Sequence, residues 1–133
     1  MDGLALPKPL AQLFAKLNLH ADDCRRSDGR YSFPYDGGRL DIHIVRRGNV
    51  ILETSLVSLP ADPAARKRLL ESALKISTAR MKYYCDTLAQ APARNELVLQ
   101  RQMASNEPMH ECESIIKQFL NSVDRWRNML KAM

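Results

Sequence analysis

The side chains best suited to chemistry in this chain of 133 residues are its three histidines and three cysteines. His20 and Cys24 stand at i, i+4, and His110 and Cys112 at i, i+2, so two distant segments could in principle bring four zinc ligands together. That spacing matches no compact metal motif. Cys112 also falls on the apolar stripe of a helical pattern, where packing is the expected role. A Cys–His nucleophile has no pair, because His43 stands mid-strand near Asp41 with no cysteine local to it. Asp22 with Asp23, and Glu111 with Glu113, are paired acids in a loop and in a first helical turn, and both placements have ordinary structural explanations. The 5 glycines fall in no phosphate-cradling spacing. The chain reads as a protein without catalytic machinery, metal or cofactor.

The elements that carry these residues follow from periodicity. Leu6, Leu10, Leu13, Phe14 and Leu17 form one helical stripe, entered through Pro7 and Pro9 and ending near Asn18. A polar stretch from Asp22 to Gly29 breaks it. Tyr31, Phe33 and Tyr35 then alternate as a strand, Asp36-Gly37-Gly38 turns the chain, and Leu40, Ile42 and Ile44 alternate again. Arg46-Arg47-Gly48-Asn49 makes the next turn into a strand rich in β-branched residues from Val50 to Leu59. Asp62 is a good N-cap and Pro63 a good first residue for a second helix, whose Leu69, Leu70, Ala73, Leu74 and Ile76 spread over a broad face. Met81, Tyr83, Cys85 and Thr87 alternate as a fourth strand, 90–95 is a loop around Pro92, and 97–103 is a fifth strand. A last helix carries Met109, Cys112, Ile115, Ile116, Phe119, Leu120, Val123, Trp126 and Leu130 at spacings of three and four, with Asn106 as its expected cap.

The order α-β-β-β-α-β-β-α is an α+β fold, an antiparallel twisted sheet with helices on one side. Residues 1–133 form a single domain. A chain of 15.1 kDa buries about two-thirds of its extended surface on folding. A core is therefore within reach without disulfides, and the odd number of cysteines is expected as free thiols. No apolar run reaches the roughly 20 residues of a membrane span, and the first residues carry no export pattern, so the cytoplasm is the expected compartment.

The net charge of +5 raises nucleic-acid binding, and 61–90 contributes +3 of it. Only Arg66, Lys67 and Arg68 form a run, and three bases in the first turns of a helix have the composition of a solvated face. A basic nucleic-acid-binding or regulatory module is the alternative reading. Surface for other polypeptides is the first. Pro34 cannot donate to a ladder, which confines the first strand to a sheet edge. An edge strand beside an apolar helix is the geometry that accepts an extended peptide by strand addition.

Several segments resemble one known family: Leu10-Ala11-Gln12-Leu13-Phe14-Ala15-Lys16-Leu17, Leu56-Val57-Ser58-Leu59-Pro60, Glu96-Leu97-Val98-Leu99 and Phe119-Leu120-Asn121-Ser122-Val123-Asp124-Arg125-Trp126-Arg127. Their order along nearly the whole chain is similar to that of the class I chaperones of bacterial type III secretion. The resemblance implies a small cytosolic homodimer without enzymatic activity. It would hold the N-terminal segment of a secreted effector or translocator protein extended, soluble and competent for export, with the secretion-apparatus ATPase as a further contact. Carried onto this sequence, the cargo groove comprises Leu10, Leu13, Phe14, Leu17, Tyr31, Phe33, Tyr35 and Ile42. The dimer interface comprises Leu69, Leu70, Ala73, Leu74 and Tyr84. Members of the family are commonly acidic, and this chain, with pI ≈ 9.3, departs from them.

Overall fold

A computed structural model describes residues 6–27, 29–35, 38–45, 49–80, 86–91 and 95–131. Helix α1 (Lys8–Lys16) starts after Pro7, whose carbonyl accepts the Ala11 N–H at 2.9 Å. It ends in a left-handed cap: Asn18 has φ 63°, the Leu19 N–H reaches the Phe14 carbonyl at 2.8 Å, and the Asn18 N–H reaches that of Ala15 at 3.0 Å. A short α2 (Ala21–Cys24) follows where the polar composition suggested only loop. Strands β1 (Tyr31–Tyr35), β2 (Gly38–Val45) and β3 (Asn49–Ser58) run as an antiparallel meander.

Helix α3 (Pro63–Arg80) begins as its sequence predicts, with Asp62 Oδ2 accepting the Ala65 N–H at 2.9 Å. The fourth strand runs past its expected end. β4 spans Thr87–Ala91, so 90–91 are strand where a loop was expected, and 81–85 lie outside the described residues. Pairing with β5 (Glu96–Ala104) decides the matter, since Leu88 faces Leu99 and Gln90 faces Leu97 in register. Helix α4 (Met109–Lys131) starts three residues beyond Asn106, directly after Pro108, so Asn106 is not its cap.

The five strands lie in the order β1-β2-β3-β5-β4. Register puts Tyr31, Phe33, Leu40, Ile42, Val50, Leu52, Leu99 and Met103 on one face. That face is covered by α4, which spans roughly 35 Å at 1.5 Å per residue and packs across β3, β5 and α1. Phe119, Val123 and Trp126 of α4 are buried against it. Near the end of β3 the register with β5 shifts between Ser55 and Val57, and Arg127 Nη2 donates to the Ser55 carbonyl at 2.7 Å. An irregularity in the ladder is thereby tied to the last helix.

The opposite face carries a polar row across all five strands: Ser32, Asp41, Glu53, Gln100 and Thr87 stand opposite one another in turn. Two carboxylates facing across neighbouring strands repel. The row offsets this with its own partners: Ser32 Oγ donates to Asp41 at 2.7 Å, Arg30 approaches Asp41 at 3.5 Å, and Gln100 Nε2 donates to Glu53 at 2.6 Å. Arg39 Nε donates to Ser32 Oγ at 3.0 Å.

Candidate protein-binding site

The expected groove residues converge on one end of the sheet, and most of them lie beneath its surface. Leu10, Leu13, Phe14, Tyr31, Phe33 and Ile42 are all buried in the main core. Phe14 of α1 stacks on Phe33 of β1 with ring centroids 3.8 Å apart, and Tyr31 continues the stack at 6.4 Å. Tyr31 also accepts the Leu6 N–H on its hydroxyl at 3.2 Å, which ties the approach to α1 onto β1. In the free chain these six side chains lie in the core, covered by the chain's own helices, and not on an open groove. Tyr35 is the last residue of β1. Leu17, 59% exposed just past the end of α1, is the predicted residue that offers apolar surface.

The edge of β1 carries a feature that the sequence reading missed. Arg25 forms an isolated antiparallel bridge with Tyr31, and the Arg26 N–H donates to the Arg30 carbonyl at 2.7 Å. The Arg25 guanidinium lies 5.8 Å from the Tyr31 ring centroid. Residues 24–26 thus pair with the N-terminal end of β1, through a turn in which the Gly29 N–H meets the Arg26 carbonyl and Gly29 takes φ 90°. Gly29 was the one visible signal for this turn. Pro34, further along the same edge, is exposed and stands opposite Arg39.

The residues expected at a two-fold interface separate as well. Leu69 and Leu70 are half-buried against the core, Ala73 is fully buried, and Leu74 is 64% exposed. Tyr84 lies outside the described residues. Ala73 packs within the core of its own chain. The outward stripe of α3 carries Lys67, Arg68, Glu71, Leu74 and Lys75, with Lys67 at 4.0 Å from Glu71. Leu74 and Leu17 are the exposed large hydrophobic residues among those described. Arg66 donates to Asn95 Oδ1 at the surface. Asn95 has φ 55°, and its carbonyl accepts the Leu59 N–H at 2.9 Å, so the β4–β5 turn, the end of β3 and the start of α3 meet at one residue.

Among the described residues, neither cysteine is brought against a histidine. Cys24 and Cys112 are free thiols. Burial pushes both upward in pKa, reinforced by Asp23 at Cys24 and by Glu107 at Cys112. Cys112 is buried, with Sγ at 3.4 Å from the Glu107 carbonyl, while His20 and His110 are exposed. Among the described residues no group of three or more His, Cys, Asp and Glu is placed to hold a metal ion. Nor is any described helix long and apolar enough to cross a membrane.

Comparison with known proteins agrees with a binding module. The family model described as the Tir chaperone protein (CesT) family matches residues 8–127. No curated protein matches the chain in sequence. Among solved structures, a chain of the ExsC-ExsE complex superposes with a TM-score of 0.71 at 15% identity, covering 98% of this chain and 97% of that one. A chain of the heterodimeric ExoU-SpcU complex from the type III secretion system of Pseudomonas aeruginosa gives a TM-score of 0.65 at 14% identity, covering 93% and 99%. A chain of the HopA1-SchA chaperone-effector complex gives 0.61 at 14% identity, covering 90% of each. At these identities the likeness is one of fold.

Proposed function

The chain belongs to the Tir chaperone protein (CesT) family, and on that premise we propose that it binds the N-terminal segment of a type III secreted effector or translocator protein. It keeps that segment non-globular and soluble in the bacterial cytoplasm until export. The observation that carries this reading is the family match over residues 8–127, with the same fold in chains solved within chaperone-effector and other type III secretion complexes.

The physical task is to pair the backbone donors of an unfolded segment and cover its apolar anchors. Ordering that segment costs entropy, so affinity comes from a few buried anchors together with main-chain hydrogen bonds. The β1 edge supplies the backbone groups, and Leu17 is an exposed apolar side chain at the end of α1. The buried Leu10, Leu13, Phe14, Tyr31, Phe33 and Ile42 shape this end of the molecule from below.

The same reading includes a homodimer, supported by the exposure of Leu74 on α3, with Leu69 and Leu70 at the margin of that surface. A standard interface buries about 1,200–2,000 Å² in total, within reach of a helix and a strand from each protomer. Delivery to the secretion-apparatus ATPase completes the proposed role. The test is co-purification from the native cell. One dominant secreted protein, bound through its N-terminal segment, supports the reading; retention of nucleic acid with a steep salt dependence supports the basic-module alternative instead.

A further inference from the structure

The outer edge of β1 is already partly occupied by the chain itself, and we infer that residues Cys24–Arg26 act as a self-pairing strap that an incoming partner strand must displace. This rests on the reading of β1 as the edge that receives a secreted protein's backbone.

The argument comes from the alternation of backbone groups along a strand, where successive residues present their N–H and C=O to opposite edges. The bond from the Arg26 N–H to the Arg30 carbonyl, 2.7 Å, shows that Arg30 faces outward from β1. Ser32 and Pro34 therefore face outward too. The Arg25–Tyr31 bridge sets Cys24 opposite Ser32 and Arg26 opposite Arg30. Pro34 has no N–H at all. A partner strand laid along β1 with the strap in place would meet at Pro34 an acceptor and no donor, and the outward groups of Arg30 and Ser32 would be facing the strap. Productive pairing needs those two residues released.

The strap is built to be released. It contributes a single bridge rather than a ladder, closes through a turn with the Gly29 N–H on the Arg26 carbonyl at 3.0 Å, and is held from above by the Arg25 guanidinium over Tyr31. In the absence of a partner it protects the end of an edge strand from pairing with other unfolded chains. The strap thereby regulates the same surface that binds.

The experiment is residue-resolved amide hydrogen exchange on the full chain, free and saturated with the recombinant N-terminal segment of a type III secreted effector from the same cell, alongside affinities for two variants. Arg25→Ala removes the cation from the Tyr31 ring. Arg26→Pro removes the bonded N–H, and the residue before it, with φ −73° and ψ 129°, already has a backbone that proline tolerates. The expected result is that the Arg26 amide loses protection when the segment binds, and that Arg25→Ala binds it about two- to fivefold more tightly, with Arg26→Pro shifting the same way. If the Arg26 amide keeps its protection in the complex and neither variant binds more tightly, the strap is wrong while the chaperone reading stands. Failure of the wild-type chain to bind any such segment overturns both.

Discussion

Phe14 and Phe33 lie face to face, with centroids 3.8 Å apart and planes inclined by 7°. One ring comes from the first helix and the other from the edge strand. Their contact covers the apolar face of the edge strand with the chain's own first helix. In the proposed binding role, recognition then falls to groups outside the stack: Leu17, the backbone edge of β1 and residues 25–26 paired to it.

Replacing either ring should damage the fold rather than binding alone. Phe33→Ala removes a side chain that is 1% exposed, and such truncations cost about 3–5 kcal/mol. Urea unfolding should show a loss of that size. By contrast, Leu17→Asp should leave the urea midpoint almost unchanged and weaken capture of the secreted segment.

The hydrogen bond from Arg127 to the Ser55 carbonyl anchors α4 at the point where the β3–β5 register shifts. Arg127→Ala should destabilise the chain by about 1.5–3 kcal/mol, the range for a charged donor to a backbone acceptor. The exposed neighbour Asn128→Ala should change stability by less than about 0.5 kcal/mol. Equal midpoints for the two variants would remove this anchor.

Asp62 caps α3 through the Ala65 N–H. Asp62→Ala should cost about 1 kcal/mol of stability, measured by thermal or urea unfolding. Asp62→Asn should restore most of it, since the amide oxygen accepts the same bond.

The thiols give a pH-dependent check. Burial raises the pKa of Cys112, with Glu107 adding to the effect, so its thiolate fraction near pH 8 is below that of an ordinary thiol. Iodoacetamide should modify Cys112 slowly in the native chain, faster as pH rises and much faster after unfolding. Rapid native labelling at pH 8 would contradict the packing role.

The elements were legible wherever a local rule agreed with the tertiary outcome. Asp62-Pro63 marked a helix start, the Tyr31, Phe33 and Tyr35 alternation marked a strand, and the long stripe through Phe119 and Trp126 marked α4. The far end of β4 was not legible because Ala89, Gln90 and Ala91 have weak strand preference of their own. Their conformation comes from pairing with 96–98, a partner that no local window contains. The binding surface was less legible for a related reason. The stripe of Leu10, Leu13 and Phe14 shows that one side of α1 must leave water. Periodicity does not tell whether the chain itself or another protein covers it. Only the structure, with Phe14 against Phe33, answers that the chain does.

The most direct test of the central claim is to mix the purified chain with the N-terminal segment of a type III secreted effector from the same cell and determine the complex by light scattering and limited proteolysis. The account predicts a defined complex in which the effector segment is held extended. The bound stretch should be protected from protease, and the effector residues beyond it should be cleaved as an unfolded chain. A segment that binds only after folding into its own compact domain, or that does not bind at all, would contradict it.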